Sequence, residues 1–134
     1  MTAAMRMLQP AGWASPKGYA NGVAARGTTI FVGGQIGWNA RQEFETDDFV
    51  AQAKVALANA VAVLREAGAG PEHVTRMTWY VVDKREYVAS ARALGAAYRE
   101  VMGRHFPAMT AVAVAALMED RAKVEIEVTA VLPD

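Results

Sequence analysis

The chain has 134 residues, 53% hydrophobic and 21% charged, which suits one ordinary domain with a real core and excludes a disordered segment. Fourteen Lys+Arg balance fourteen Asp+Glu, so the net charge does not favour nucleic acid, whose binding draws on an excess of cations. There is no cysteine, which removes disulfides, thiol nucleophiles and thiolate metal sites.

The opening "MTAAMRMLQPAGW" has one arginine and no apolar h-region, so it does not read as a signal peptide. The longest uninterrupted apolar run, Ala111 to Met118, is far shorter than the roughly 20 residues of a membrane helix. A cytoplasmic protein with no membrane or nucleic-acid partner is expected.

"NGVAAR" and "TTIFVGG" flank a turn at Gly27 and could pair as a hairpin. "TDDFVAQAKVALANAVAVLREAG" follows with a helical period. Thr46 or Asp47 can cap it, Phe49, Ala53, Ala56, Leu57, Ala60, Val61 and Leu64 form its apolar stripe, and Gly68 stops it. "VTRMTWYVV" is rich in branched and aromatic residues, as strands prefer. Trp79 and Tyr80 point to opposite faces of it, so only one of them can be core. "KREYVASARALGAAYREVMG" has a second stripe, Tyr87, Ala91, Leu94, Tyr98 and Val101, and ends at Gly103. "TAVAVAA" and "AKVEIEVTAVL" alternate as strands. The latter sets Val124, Ile126, Val128 and Ala130 against Lys123, Glu125, Glu127 and Thr129.

The order ββαβαββ, with room for an extra strand at the start, predicts a single α+β domain over residues 1–134. It has two layers, a mixed sheet with two helices on one face. The other sheet face would carry Ala111, Ala113 and Ala115 beside Glu125 and Thr129. Such a face is too apolar for water and too polar for a core, and burial against another copy of the chain is the simplest answer.

"GGQIGW" breaks a strand with glycines and then offers Gln35 and Trp38. Its backbone could approach a ligand and present free N–H groups, or simply form a bulge or bend. No P-loop or dinucleotide fingerprint accompanies it. His73 and His105 lack partners at ligand spacing, so no metal site is expected. Glu125 and Glu127 read as a solvated or cross-strand-paired set, unless a neighbouring subunit covers them and suits one to general acid or base work. Met109 alone reads as packing.

Five segments in order resemble the reactive intermediate deaminases, the Rid or YjgF family. "KGYANGV" is similar to the family's early tyrosine segment and "IFVGGQIG" to its strand ending in Ser-Gly-Gln. "QAKVALANAVAVLREAG" resembles its first helix, "FPAMTAVAV" its Pro-Ala-Arg-Ser/Thr segment and "VEIEVTA" its closing strand. The resemblance implies a chorismate-mutase-like fold and a homotrimer with ligand clefts between subunits. It also implies cofactor-free hydrolysis of imines and enamines such as 2-iminopropanoate to a 2-oxo acid and ammonia. Tyr19 matches the tyrosine lining the cleft, Gly34 the glycine of Ser-Gly-Gln, and Glu125 the glutamate that positions water. Gly33 stands for the family's serine, and Gln35 completes that motif. Thr110 matches the Ser/Thr after the site arginine, and Ala111 stands where the family has a cysteine.

The arginine itself falls on Met109. A guanidinium clamps a carboxylate through two hydrogen bonds and a thioether cannot, a loss of roughly 1.5–3 kcal/mol. The expectation is therefore a hydrolase of the arginine-lacking kind. Its imine or enamine would be larger or less acidic than 2-iminopropanoate, in the manner of 2-aminomuconate. Glu125 and Tyr19 would be catalytic, and Gly33, Gly34, Gln35, Trp38, Met109 and Thr110 would bind the ligand. The alternative is a non-catalytic small-molecule-binding trimer that kept the cleft. A ribonuclease, an activity also attached to the family, fits poorly with zero net charge and no paired histidines.

Overall fold

The computed structural model describes residues 5–134; residues 1–4, the start of the opening stretch read above, lie outside the described residues. Strands β1 (Met5–Leu8) and β2 (Gly22–Ala25) pair antiparallel as a small ribbon. The main sheet has the order β3-β6-β4-β5, formed by β3 (Thr28–Ile36), β4 (Val74–Val81), β5 (Ala108–Ala113) and β6 (Val124–Leu132). The pairs β3–β6 and β4–β6 are antiparallel and β4–β5 is parallel, so the sheet is mixed. Helices α1 (Phe49–Glu66), α2 (Lys84–Ala89) and α3 (Ala91–Met102) complete an α+β fold.

The expected hairpin across Gly27 does not form, because "NGVAAR" pairs with β1 instead. Gly27 has φ +140°, and a β-carbon there would lie 2.1 Å from the Leu132 carbonyl oxygen. The chain therefore passes tightly beside the end of β6, and β3 is delivered to the main sheet. The second expected helix is broken at Ser90, whose φ −94° and ψ 9° lie outside the helical basin, so α2 and α3 are separate. Serine competes poorly for helix interiors, and no side-chain bond holds it there.

All seven expected apolar positions of α1 are buried, and they pack on Met77, Trp79 and Val81 of β4 and Val124, Ile126, Val128 and Ala130 of β6. Asp48, not Thr46 or Asp47, caps α1, its carboxylate accepting from the Ala51 N–H at 2.9 Å, while the Thr46 hydroxyl accepts from the Asp48 N–H. Gly68 follows the helix with φ +78° and ends it.

Gln52 also lies on the buried stripe, fully enclosed. Its amide donates to the carbonyls of Thr46 (3.1 Å) and Arg121 (3.0 Å) and accepts from the Lys123 N–H (2.9 Å). One side chain thus ties the start of α1 to the start of β6.

The expected occupants of the outer sheet face need correction on β5. Register pairs Tyr80 with Val112 and Trp79 with Ala111, so Thr110 and Val112 share the outer face, and Ala111 and Ala113 lie on the helix side. Ala115 lies beyond the strand. Which of Ala111 and Val112 faces the helices follows from pairing with β4, which strict alternation does not reveal. Phe31, 79% exposed, and the Tyr80, Glu125 and Glu127 side chains complete that outer face.

Candidate functional site

The first half of the site is built where the N-terminal segment meets β5. The Ala20 N–H donates to the Pro107 carbonyl at 2.9 Å, and Ala20 bridges Ala108 in parallel. This sets Tyr19 beside Met109 at the mouth of a pocket of about 530 Å³. Trp79, Tyr87, Leu94, Tyr98 and Phe106 line the interior, and Lys17 and Arg99 are its charged lining residues among those described. The aromatic rings brace one another: Tyr98 stacks on Phe106 at 5.5 Å, and Tyr87 meets Trp79 edge-on at 6.3 Å. Burial pushes the Tyr98 and Tyr87 phenols above the usual range, so both hold their protons. The Tyr98 hydroxyl donates to the His105 carbonyl. Met109 does both jobs considered for it: half-buried, it packs against the core and also lines the pocket.

The second half lies at the far edge of the sheet. β3 bulges between Val32 and Gln35, and the bulge consists of Gly33 and Gly34. A β-carbon on Gly34 would sit 2.0 Å from Oε2 of Glu125, so glycine is what lets that carboxylate lie against the backbone. The Gln35 amide donates to the Gly33 carbonyl at 3.1 Å. Beyond the strand, Asn59 of α1 donates to the carbonyls of Ile36 (3.1 Å) and Trp38 (2.9 Å). Gly37 presses so closely on α1 that a β-carbon would meet Gln52 Cα at 2.7 Å. Trp38 tilts against Phe44 at 5.9 Å, and the Arg121 guanidinium covers the other partner of that pair, Phe44, at 5.4 Å. Gly34, Gln35, Trp38 and Glu125 share a cavity of about 340 Å³ with Gln42, Met118 and Glu119.

The residues singled out in the sequence therefore fall into two groups. Tyr19 and Met109 are together, and Thr110 joins them in a groove of about 160 Å³ that also holds Arg76. Gly34, Gln35, Trp38 and Glu125 form the other group, with Gly33 at its border beside Phe31 and Arg76. β3 and β5 are opposite edges of a four-stranded sheet, three inter-strand spacings or roughly 14 Å apart.

Neither histidine has a catalytic posture. His73 Nδ1 accepts from the Gly70 N–H at 3.0 Å, and His105 Nε2 donates to the Val74 carbonyl at 2.6 Å. Among the described residues, no group of three His, Asp or Glu is placed to hold a metal ion. On the outer sheet face the Tyr80 hydroxyl donates to Glu127 at 2.7 Å, a bond that raises the phenol above its usual range.

Comparison with known proteins bears on this arrangement. The family model described as Endoribonuclease L-PSP matches residues 12–132. A RutC family protein from Synechocystis sp. is 34% identical over 131 residues, covering 96% of this chain and 98% of the relative. This chain belongs to the Rid (YjgF, RutC) family. The Rid family protein YyfB from Yersinia pestis, described as of unknown function, superposes with a TM-score of 0.85 at 32% identity, over 97% of this chain and 100% of that one. The YjgF gene product of E. coli gives a TM-score of 0.67 at 32% identity, over 84% and 87% of the two chains. The Rid fold is thus shared almost end to end, and membership supports a deaminase-type or small-molecule-binding role.

The bulge is one of two readings of the glycine run, and the resemblance sets Tyr19, Met109 and Glu125 in one cleft. Within one subunit Tyr19 and Met109 are together and Glu125 is not, and the aromatic pocket as a whole is not foreseen from the sequence. Trp79, Tyr87, Leu94, Tyr98 and Phe106 come from β4, α2, α3 and the loop before β5, and the first four lie on stripes that look like ordinary core. The structural work of Gln52 and Asn59 did carry a signal, since an amide in register with Phe49, Ala53 and Ala56 must find partners inside.

Proposed function

We propose that this protein is a cofactor-independent hydrolase of an imine or enamine bulkier or less acidic than 2-iminopropanoate, of the size and flatness of 2-aminomuconate. The observation that carries the reading is the aromatic pocket with Met109 in its wall, where the family resemblance expects an arginine. Such a wall favours an apolar body over a small carboxylate. In this reading the Glu125 carboxylate takes a proton from water as its oxygen adds to the C=N carbon. It returns that proton to nitrogen, then takes the carbinolamine hydroxyl proton and passes it to the amine as the C–N bond breaks, leaving a carbonyl and ammonia. Tyr19 fixes the substrate, Thr110 and Met109 border it, and the Gly33–Gln35 segment with Trp38 holds its polar end.

The roughly 14 Å between the two groups favours a site completed between subunits, with the β3 edge of one copy brought to the β5 edge of another. A homotrimer closes such a head-to-tail contact into a ring and covers the outer sheet face with Phe31. A ribonuclease reading gains nothing from the two histidines, both of which are engaged by backbone groups.

The test is ammonia release from enamines generated in situ by an amino-acid lyase or oxidase. Aromatic and branched substrates should be hydrolysed faster than the uncatalysed rate, and 2-iminopropanoate weakly or not at all. Glu125→Gln should abolish the acceleration. Ligand binding without any ammonia release across the series would make the protein the non-catalytic binder instead.

A further inference from the structure

The pocket behind Met109 is walled mainly by apolar and aromatic side chains with two cations among them, and the geometry of one of these is specific. Arg99 lies one helical turn after Gly95 on α3, and an ideal β-carbon on Gly95 would be 3.3 Å from Arg99 Nη1. Helical side chains lean toward the preceding turn, so residue i+4 covers residue i. The missing side chain at Gly95 leaves the guanidinium room to approach the helix surface at that turn. Gly95 and Arg99 both line the same pocket as Met109. Among the described residues neither Arg99 nor Lys17 has a carboxylate within ion-pair distance. The strand position that Met109 occupies carries no charge, and an uncommitted guanidinium stands on the helical wall instead.

We infer that Arg99, seated over Gly95, is the anion-binding group of this pocket, and that the pocket takes an amphipathic monoanion. The aromatic or branched body of the ligand lies among Trp79, Tyr87, Phe106 and Met109, and its carboxylate reaches Arg99. This names the ligand class of the site proposed above and rests on that reading for the site's use, but not for its binding chemistry. A small acid such as pyruvate cannot touch the aromatic wall and the helical cation together. An acid with a ring two or three bonds away can. Arg99 is the binding residue, Gly95 is a positioning residue, and Lys17 adds a second positive charge to the same lining.

Calorimetric titration of the full-length assembled protein tests this with phenylpyruvate, with phenylacetone as its neutral counterpart, and with pyruvate. Phenylpyruvate should bind about 10-fold tighter than either of the others, the margin of one charge-assisted hydrogen bond. Arg99→Met should bring phenylpyruvate down to the phenylacetone level and leave phenylacetone unchanged. Arg99 is exposed, so the variant should fold normally. Gly95→Ala should weaken phenylpyruvate about threefold while holding or raising the melting temperature, since alanine is the better helix former. Pyruvate binding as tightly as phenylpyruvate, no binding by any probe, or phenylpyruvate affinity insensitive to Arg99→Met would each overturn the inference. Loss on Lys17→Met with Arg99→Met silent would overturn the assignment to Arg99. Arg99-dependent binding without ammonia release would sink the hydrolase reading and leave this one standing, and hydrolysis insensitive to Arg99→Met would do the reverse.

Discussion

The Glu125 carboxylate occupies the space that a side chain at Gly34 would fill, with Oε2 only 2.0 Å from the ideal β-carbon position. The two residues sit on neighbouring strands, and the β3 bulge turns the glycine toward the acid. Any side chain at position 34 has to evict Glu125 from its seat.

Gly34→Ala should therefore separate position from stability. The group it displaces is the end of a partly exposed side chain, so urea unfolding should change by less than about 1 kcal/mol. Turnover should fall nearly as far as in Glu125→Gln. Gly37→Ala is the contrasting case, because its methyl would meet the Gln52 backbone at 2.7 Å. That backbone has no easy retreat, and the cost should be about 1–3 kcal/mol. Equal costs at the two positions would refute this account of the bulge.

Met109→Arg asks what the pocket wall tolerates. A guanidinium entering from Met109 can reach the open mouth beside Tyr19, so the melting temperature should fall by less than about 5 °C. Affinity for pyruvate should rise about 10-fold through a charge-assisted pair, while phenylpyruvate loses part of its apolar space and binds more weakly. A collapse in stability with no gain for pyruvate would make Met109 a packing residue alone.

Phe31→Glu tests the assembly. Light scattering at micromolar concentration should give a trimer for the native chain and mostly monomer for the variant, because the substituted ring sits exposed on the outer sheet face. A folded native monomer would remove the shared site.

Alkaline stability follows from Tyr98. Burial raises its folded-state pKa above the ordinary value of 10.0, and the raised value means the folded protein holds the phenolic proton more tightly than the unfolded chain. The contribution is fully present below pH 10 and is lost as pH climbs above it. Tyr87, raised in the same direction by burial, adds to the slope. Urea unfolding at pH 8 and pH 11 should show a smaller alkaline loss in Tyr98→Phe than in the native chain. At pH 8 that variant should cost about 1 kcal/mol for the hydrogen bond to His105.

Periodicity revealed α1 and β6 because each has one wet and one dry face, and side-chain alternation then follows directly. It failed at Gly27 and Ser90, where the outcome depends on which distant strand lies alongside or on a local break that no stripe announces. The β5 register was illegible for a related reason. Ala111 and Val112 are both acceptable on either face, and only the pairing with β4 decides between them. At the site, chemistry-bearing residues were visible as types, but their partition between two sheet edges is a property of strand order and leaves no local trace.

The Ala20–Pro107 hydrogen bond has an evolutionary corollary. Tyr19 and Met109 are held side by side by main-chain atoms, and no side chain at 19, 108 or 109 is needed to keep the spacing. The doorway can be repainted one residue at a time without shifting its frame. Changes at 19 and 109 can therefore accumulate singly, each altering what enters and none costing the fold its frame.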